Sequence, residues 1–541
     1  MDNNSSNISE SNSSGKEKYK NTAANKGIGR RDVLKSLATF PVVGALLYGA
    51  FRKKRIQHYR QHQLIKDLDL EPANNPVKLT PVSSGNKDLL RIGIIGFGIR
   101  GEQLARSAGF AHPEQIDSWA SAALANKADD RLQVYREQED LNIRITGVCD
   151  IFTVKAKRAV ETSENIYRTG SGDKKGEPAR LYSNYKELIH AADVDAVIIA
   201  TPDHWHAEMA IEAAKAGKHI YLEKPLSLTV AETHAVEQAV RENNVVFQLG
   251  HQNRQIESNF KAKEIIDKNI LGKITKIECY TNRNSPNGAW VYDLHPEANE
   301  NTIDWKQFLG PAPGHPFSRE RFFRWRCWWD YSTGLTGDLF THEYDVINMV
   351  TGIGIPHSAV ASGGVYFFKD GRTVPDVLQV SYEYPDRDLN LLYSASLASS
   401  KQRSKTFFGH DASMELSANM TVYADRNSTR YRNLIDSGVV QPGTPMLTHV
   451  PGREGVDVVT SATEQYFASR GLLYTYRGGR RVDTTFLHIR EWIDAIRGSG
   501  TPSCDIKEGV EEAISAHMGT EAYRLEKKTF WDSDKKVIVT A

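Results

Sequence analysis

The chain has 541 residues, enough for two or three domains with sizeable hydrophobic cores. Because 68 Lys and Arg residues almost balance 67 Asp and Glu residues, the formal net charge is +1, and bulk electrostatics indicates neither a nucleic acid nor an anionic membrane as a partner. The four cysteines are far apart and form no CxxC pair, which argues against a zinc site or a disulfide framework.

The N-terminal 87 residues are predicted to lie outside the folded domains. Residues 1–29 are polar and rich in Ser and Asn, so we expect disorder there. Arg30 and Arg31 precede an apolar stretch at residues 37–51, a pattern typical of a twin-arginine export signal, placed at residues 30–55. This stretch is shorter than a usual membrane span, shows no A-x-A cleavage motif and is followed by four basic residues, so a retained membrane tether and a chance apolar helix stay open as alternatives. Residues 56–87 are predicted to be a linker, and the protein is predicted to be exported and to be periplasmic, or membrane-tethered and facing the periplasm.

A glycine-rich turn follows the first predicted strand, Leu90–Ile95. Gly96, Gly98 and Gly101 give the spacing G-x-G-x-x-G, and a helix pattern continues directly after them. Such a turn brings a helix N-terminus close to the pyrophosphate of a dinucleotide. The predicted cofactor contacts in this turn are Gly96, Phe97, Gly98, Ile99, Arg100 and Gly101.

Asp150 closes the next apolar strand and is predicted, with Ile151, to hold the adenosine ribose. It lies 49 residues beyond Gly101, against about 20 in the usual fingerprint, so residues 108–141 are predicted to be a helical insertion. A carboxylate at this place favours NAD over NADP, because it repels a 2′-phosphate. The alternative is that Asp150 only caps the following helix.

Further strands alternate with helices up to a sixth strand near residue 248, which predicts a parallel, doubly wound sheet. Ligands of such sheets bind beyond the carboxyl ends of the strands. The residues predicted to contact the cofactor at these ends are Thr201, Pro202, Asp203, His204, His206, Glu223, Lys224, Gln252 and Asn253. For His204 and His206, a helix-start position without chemistry is the alternative.

The motifs GFGIRG, CD, ATPDHWHAEMAIEAAKAGKHIYLEKPL and GHQNR together resemble the Gfo/Idh/MocA family of sugar oxidoreductases over about residues 88–525. The resemblance implies an α/β protein with an N-terminal Rossmann domain (88–225), a C-terminal α/β domain with an open, mainly antiparallel sheet (226–525), and a tail (526–541). It also implies a bound nicotinamide dinucleotide, a polyol or sugar substrate, and pairing of copies through the open sheet face.

The same resemblance assigns chemistry to Lys224, Asp338 and His342. The lysine of the E-K-P element hydrogen-bonds the reacting hydroxyl, where an ammonium stabilises a developing alkoxide. The segment GDLFTHEYD resembles the D-x-x-x-H element of the family, with His342 as acid/base and Asp338 contacting substrate or orienting the imidazole. The alternatives are a surface lysine lying over a strand end and an Asp–His pair that only stabilises a helix.

After residue 254 several alternating strands with few helices between them predict an antiparallel meander. An aromatic and basic cluster precedes the D-x-x-x-H element, and its residues either contact sugar or belong to the core. The predicted substrate contacts are Arg254, Arg324, Trp325, Trp329 and Tyr331. No histidine spacing is backed by carboxylates, so no metal is expected.

The predicted export restricts the reaction that we expect. Free NAD is scarce outside the cytoplasm, so an exported dehydrogenase cannot rely on exchanging its spent cofactor. We therefore expect an NAD(P)-dependent oxidoreductase acting on a CH–OH group, with the cofactor retained and recycled within each catalytic cycle. One alternative is a redox-neutral glycoside hydrolase that also uses NAD, although the related α-N-acetylgalactosaminidases lack the E-K-P lysine. A sugar- or NAD-binding scaffold without catalysis is the alternative of another class.

Overall fold

The computed structural model describes residues 63–64, 66–70, 88–165, 176–451, 474–477 and 480–541. The predicted disordered segment and export signal lie outside these residues, as does most of the predicted linker. The chain divides into two compact units, Met1–Leu64 and Ile65–Ala541, and the elements named below belong to the second unit.

The first layer is a six-stranded parallel sheet, as the alternating pattern predicts. Its strands are β1 (Leu90–Ile95), β2 (Ile143–Cys149), β3 (Arg180–Leu181), β4 (Ala196–Ile199), β5 (His219–Leu222) and β6 (Phe247–Leu249), in the spatial order β3-β2-β1-β4-β5-β6. Every residue of β4 is buried, since helices cover both faces of the sheet. The strand order changes direction between β1 and β4. Parallel sheets of this kind bind dinucleotides at such a change of direction.

The helices that accompany this sheet begin with α1 (Ile99–Ser107) and end with α7 (Val230–Glu242). Between them lie α2 (Pro113–Ala125), α3 (Arg131–Arg136), α4 (Thr153–Ser163), α5 (Tyr185–Ile189) and α6 (Asp203–Lys215). The predicted insertion at residues 108–141 is helical: α2 and α3 pack together through a small core of their own, which includes Ile116, Trp119 and Tyr135. This separate core explains why the insertion lengthens the distance to Asp150 without disturbing the sheet.

The second layer is a ten-stranded mixed sheet, whose strands in spatial order are β14 (Leu447–His449), β13 (Met420–Ala424), β12 (Ala412–Leu416), β11 (Lys405–Gly409), β7 (Ile274–Asn282), β10 (Leu389–Ser396), β9 (Val377–Tyr384), β8 (Ser358–Gly364), β17 (Thr529–Asp532) and β18 (Val537–Thr540). Its pairs are antiparallel except for β7 and β10, which are parallel, so the sheet is mainly antiparallel but is not the simple meander that the alternation predicts. Along β10 buried and half-buried residues alternate without exception, as in a sheet with one covered face. Apart from this sheet, β15 (Tyr474–Arg477) pairs with β16 (Arg480–Asp483) in an antiparallel hairpin.

The remaining helices connect the two sheets. α14 (Ile506–Leu525) packs against β8 and against α11 (Thr341–Thr351), while α13 (Thr484–Ile496) returns to the parallel sheet and buries Trp492 in its core. The others are α8 (Glu257–Asp267), α9 (Trp305–Leu309), α10 (Arg319–Phe323) and α12 (Arg432–Asp436).

The structure differs from the predicted division of the chain in two places. The parallel sheet continues past residue 225, because β6 is its edge strand. Residues 526–541 are not a tail, because β17 and β18 extend the ten-stranded sheet by pairing onto β8. Both segments are short, and only their long-range pairing shows which sheet they join.

Candidate active site

The glycine-rich turn between β1 and α1 has the geometry of a phosphate cradle. A Cβ added at Gly101 would lie 2.1 Å from the carbonyl oxygen of Gly96, so only glycine lets α1 pack this closely. At Gly98 an added Cβ would meet nothing within 4 Å, and no side chain caps the N-terminus of α1 there. The free N–H groups of this turn and the open space beside Gly98 fit a dinucleotide pyrophosphate.

Asp150 lies beside this turn, and it lines one cavity together with Gly98. One carboxylate oxygen accepts a hydrogen bond from the backbone N–H of Phe97 (2.6 Å) and the other from that of Phe152 (2.8 Å). Phe152, not Asp150, is the N-cap of α4, so the capping alternative is wrong. Burial raises the pKa of Asp150, although the hydrogen bonds from the backbone N–H groups of Phe152 and Phe97 partly oppose this rise. The remaining lone pairs of the carboxylate fit the ribose hydroxyls of NAD.

One cavity of about 950 Å³ joins the turn to the second domain. It is lined by Trp325, one of the predicted substrate contacts, and by most of the predicted cofactor contacts. The predicted cofactor contacts that line it are Gly96, Gly98, Ile99, Arg100, Asp150, Ile151, Thr201, Pro202, Asp203, Glu223, Lys224, Gln252 and Asn253.

Four predicted cofactor contacts do not line this cavity: Phe97, Gly101, His204 and His206. Phe97 has a buried side chain, and Gly101 lies against Gly96. His204 is a core residue whose Nε2 bonds to the carbonyl of Phe308 (2.8 Å), and burial lowers its pKa to about 4. His206 lies with its ring between the carbonyl oxygens of Thr201 (2.8 Å) and Pro225 (2.6 Å). The structure therefore does not bring either histidine ring to the cavity, because both rings bond to backbone carbonyl oxygens.

The E-K-P element is anchored on both sides of Lys224. Glu223 accepts hydrogen bonds from Arg100 Nε (2.7 Å) and from Gln252 Nε2 (3.1 Å), which ties the glycine turn to the ends of β5 and β6. The peptide bond between Lys224 and Pro225 is cis. These contacts fix the backbone from which the lysine side chain enters the cavity.

Lys224 reaches across to Asp338 of the second domain. Its Nζ donates to the carboxylate Oδ1 (2.8 Å) and to the carbonyl oxygen (2.7 Å) of Asp338, and the two side chains are only 9% and 8% exposed. Burial alone raises the pKa of Asp338, but the charges of Lys224 and Arg326 outweigh burial and lower it well below its usual range. Asp338 is therefore the ionised counter-charge of the lysine.

Two further donors hold the same carboxylate, and the sequence motifs gave no sign of either. Arg326 Nε donates to Oδ1 (3.0 Å), and the indole N–H of the fully buried Trp290 donates to Oδ2 (2.9 Å). Arg326 also lies over the ring of Trp325 at 4.1 Å. Asp338 thus has hydrogen bonds on both oxygens, and it orients Lys224 instead of facing the cavity itself.

His342 lines the cavity near Lys224, one residue into α11. Asp338 lies in a π-helical turn, Thr336–Phe340, which leads directly into this helix. Such turns are frequent at functional sites. Burial, followed by the nearby charges of Lys224 and His251, lowers the pKa of His342 well below its usual range. A neutral imidazole and an ammonium from two separate domains therefore face one cavity.

Four of the predicted substrate contacts are not among the residues that line this cavity. Arg254 pairs with Asp345 (2.6 Å), and Arg324 Nε donates to the carbonyl of Tyr292 (2.9 Å). Tyr331 is fully buried in aromatic packing, and Trp329 packs on Tyr523 beneath Arg524. The cavity is lined instead by residues that the motifs did not indicate, among them Arg283, Tyr292, His295, Phe323 and Arg326.

Within the described residues, one group of three potential metal ligands is present, namely His251, Asp345 and Glu512, all buried. The sequence did not predict it, because the three residues come from distant segments. His251 Nε2 contacts a carboxylate oxygen of Glu512, and Arg254 already pairs with Asp345.

Comparison with family models decides the relationship. Residues 90–251 match the model of the Gfo/Idh/MocA oxidoreductase family for its NAD-binding Rossmann fold, and residues 263–528 match the model for its C-terminal alpha/beta domain. The chain belongs to the Gfo/Idh/MocA family. The cradle at Gly98 and the carboxylate of Asp150 are thus parts of an NAD-binding domain, and the fold class predicted from the sequence is confirmed.

Curated relatives of this Gfo/Idh/MocA protein are similar over part of their length. A levoglucosan dehydrogenase from Pseudarthrobacter phenanthrenivorans is 30% identical over 192 residues, which cover 34% of this chain and 42% of the relative. A glycosyl hydrolase family 109 protein from Shewanella sp. (strain MR-4) is 33% identical over 148 residues, covering 27% and 24%. The chain thus spans less than half of the length of these relatives.

Solved structures share the fold over most of the chain. A levoglucosan dehydrogenase in complex with NADH and levoglucosan superposes with a TM-score of 0.53 at 18% identity, covering 84% of this chain and 99% of that one. The WlbA dehydrogenase from Bordetella pertussis, in complex with NADH and UDP-GlcNAcA, gives 0.51 at 15% identity over 83% and 98%. Among the described helices of this family member, none is both long and apolar enough to cross a membrane.

Proposed function

We propose that the protein is an NAD-dependent oxidoreductase that acts on a CH–OH group of a sugar, polyol or glycoside. The observation that carries the proposal is the presence of Lys224 and His342 on one cavity with the glycine turn. A binding protein needs no ammonium and neutral imidazole facing one space, whereas both favour the oxidation of an alcohol, the imidazole as acceptor of the hydroxyl proton and the ammonium as stabiliser of the alkoxide. The similarity to a levoglucosan dehydrogenase supports a sugar as the substrate.

The first domain supplies the binding groups for the cofactor. The turn at Gly98 offers N–H groups to the pyrophosphate, and Asp150 offers its carboxylate to the adenosine ribose. Bound NAD supplies a hydride acceptor at its nicotinamide ring. The carboxylate of Asp150 is the reason to expect NAD in preference to NADP.

The chemistry assigned to the protein side chains is proton transfer and charge stabilisation. Lys224, held by Asp338, donates a hydrogen bond to the substrate oxygen and stabilises the alkoxide as it forms. His342 is neutral and accepts the hydroxyl proton as the carbon loses its hydride. In the reverse direction His342 returns that proton while the carbonyl oxygen is held by Lys224.

Retention of the cofactor is part of the proposal and rests on the N-terminal sequence. A twin-arginine signal at residues 30–55 implies export of the folded, loaded protein to the periplasm, where free NAD is scarce. We therefore propose that NAD stays bound and is reduced and reoxidised within each cycle. A retained N-terminal membrane tether and pairing of copies through the open sheet belong to the same hypothesis.

The test begins with the purified full-length protein. Denaturation should release nicotinamide dinucleotide in about one equivalent, identified by mass spectrometry. The holoprotein is then incubated with a panel of sugars, polyols and glycosides while absorbance at 340 nm and products are followed together. We expect oxidation of at least one compound and its loss in Lys224→Met and His342→Gln. Full activity in both variants would refute the assigned roles.

A redox-neutral glycoside hydrolase is the second candidate, favoured by the similarity to a glycosyl hydrolase family 109 protein. Transient oxidation of a ring carbon acidifies the neighbouring C–H, and elimination expels the aglycone and leaves an α,β-unsaturated ketone. Water then adds to the double bond at the carbon that carried the aglycone, and the hydride removed in the first step returns to the carbonyl. The same panel distinguishes the two, because the hydrolase releases an aglycone without forming an oxidised sugar.

A scaffold without catalysis makes a different prediction. His342→Ala should then retain the affinity of the protein for NAD and sugar, and wild-type protein should turn over nothing in the panel. A measurable rate in wild-type protein that the substitution abolishes excludes the scaffold.

A further inference from the structure

An arginine ends a row of residues that otherwise belongs to the core of the second domain. Along β7 the fully buried Ile277 and Cys279 alternate with residues of the other face. Successive side chains of a strand point to opposite faces, so Thr281 and Arg283 continue the buried row, and both line the cavity. The row thus runs from apolar core into the cavity and ends there in a guanidinium.

The backbone of Arg283 is held on both sides by the ten-stranded sheet. Its N–H donates to the carbonyl oxygen of Ser396 (2.9 Å), at the end of β10, and its carbonyl oxygen accepts from the N–H of Ser399 (3.0 Å). The side-chain stem lies against the short helical turn Asn287–Ala289, where a Cβ added at Gly288 would be 3.1 Å from Arg283 Cβ and 3.5 Å from Cδ. The guanidinium therefore enters the cavity from a rigid support.

The guanidinium of Arg283 has no counter-charge in the protein. Among the residues that the structure describes, neither a hydrogen bond nor an ion pair reaches it, although the side chain is half-buried. The acids of the second domain that line the same cavity are Glu343 and Asp293. Glu343 pairs with Lys405 at 2.8 Å, and Asp293 is exposed. Because a charge removed from water is stabilised by a partner, this half-buried cation favours a ligand that brings an anion.

Arg283 belongs to the reactive end of the cavity, with Lys224 and His342. Its charge adds to those of Lys224 and Arg326 in lowering the pKa of Asp338 against the effect of burial. On His342, whose pKa burial lowers first, Arg283 acts in the same direction as Lys224. The guanidinium is thus close to the groups assigned to proton transfer, whereas the glycine turn lies at the cofactor end.

The reactive end carries more positive than negative charge. Lys224 and Arg326 share the single carboxylate of Asp338, so this group keeps one positive charge without a partner. Arg283 adds a second. The exposed carboxylate of Asp293 offsets one of the two, which leaves an excess of one positive charge. A ligand with one negative charge restores the balance, and a neutral sugar does not.

We propose that the substrate is an acidic sugar, whose carboxylate or sulfate ester is bound by Arg283, and that Arg283 is the residue that selects it. The planar guanidinium offers two parallel N–H donors to two oxygens of one anionic group, which an ammonium cannot do. The inference rests on the proposed function, because it names the class of substrate for the same site.

The test compares matched methyl glycosides that differ in one group. Methyl glucuronide, galacturonide and mannuronide carry a carboxylate where the methyl glucoside, galactoside and mannoside carry a hydroxymethyl group, and the corresponding sulfate esters form a third set. Titration calorimetry measures their affinity for the full-length protein loaded with NADH, which cannot oxidise them. We expect at least one acidic glycoside to bind about tenfold or more tightly than its neutral counterpart, and the set to which it belongs identifies the anionic group.

Variants separate recognition of charge from support of the site. Arg283→Gln should weaken binding of the acidic glycoside about tenfold and leave its neutral counterpart unchanged, whereas Arg283→Lys should keep part of the preference. Arg403→Gln is the matched control: Arg403 lies over Tyr280, on the other face of the same strand, and the substitution removes the same charge. This control should keep the wild-type preference. Equal losses for acidic and neutral glycosides in Arg283→Gln would indicate a structural role and overturn the proposal.

The proposal is also overturned if each acidic glycoside binds no more tightly than its neutral counterpart, which includes the case in which none binds measurably. These measurements need no turnover, so they are independent of the proposed function. Tight binding of acidic glycosides that NAD-loaded protein never transforms would refute the proposed function and leave the anion site. Oxidation of a neutral sugar without any preference for acids would support the proposed function and refute the inference.

Discussion

Replacement of Asp338 by Asn tests the centre of the site, because this carboxylate joins the two domains. It holds Lys224 at 2.8 Å and Arg326 at 3.0 Å, and all three groups are largely buried. The amide keeps the shape but removes the charge, leaving two cations without their counter-ion. Removing one partner of a buried ion pair costs about 3–5 kcal/mol, so we expect Asp338→Asn to lower the free energy of unfolding by about that amount.

The assay is urea unfolding at pH 7, followed by tryptophan fluorescence and circular dichroism. Asp195→Asn is the matched control, because Asp195 also accepts hydrogen bonds from an arginine, Arg91, but the two side chains are 30% and 38% exposed. Exposed pairs contribute at most about 1 kcal/mol, so the control should lose no more than that. Equal losses in the two variants would refute the reasoning that Asp338 is the buried counter-charge of Lys224.

Three further predictions concern the cradle, the core and the thiols. Gly98→Val should have the same free energy of unfolding as wild type but bind NAD at least tenfold more weakly, because the valine side chain fills the cradle. Gly101→Ala should instead have a lower free energy of unfolding, because its Cβ clashes with the backbone of Gly96. Titration calorimetry measures the affinity for NAD, and urea unfolding measures the stability. Burial lowers the pKa of His204 to about 4, below its value of 6.5 in the unfolded chain, so the unfolded state takes up a proton first as the pH falls. The free energy of unfolding should then decrease by about 1.6 kcal/mol between pH 6.5 and 5 from this residue, and His204→Asn should lack that part of the decrease. The four cysteines are all buried and burial raises the pKa of Cys149 to about 12, so Ellman's reagent should detect no thiol in native protein and four after denaturation.

Local patterns were enough to predict the parallel sheet, the glycine turn and the position of Asp150. Each depends on residues that are close in sequence: an apolar run, a spacing of glycines, or an acid directly after a strand. The direction of His204 and His206 could not be predicted in that way. Both follow a strand end, where side chains usually face the ligand, but their ring nitrogens bond to backbone carbonyls of residues 308, 201 and 225 instead. The aromatic cluster was ambiguous for a similar reason, because only the packing of Tyr331 against Phe308 decides between sugar contact and core.

Sequence reasoning missed Trp290 and Glu512 because their partners are far away along the chain, and it missed Arg326, 12 residues from Asp338, because this arginine belongs to no motif. Trp290 and Arg326 become intelligible only once Asp338 is known to need donors on both oxygens, and Glu512 only once His251 is known to be buried beside Asp345. A buried charge must be paired, so each ionised group that a motif places in a closed site implies partners that the motif does not name. For this protein the rule applies twice, at Lys224 with Asp338 and at His251 with Glu512. In both cases the paired groups come from different domains, so the charges that one domain contributes are neutralised only where it packs against the other.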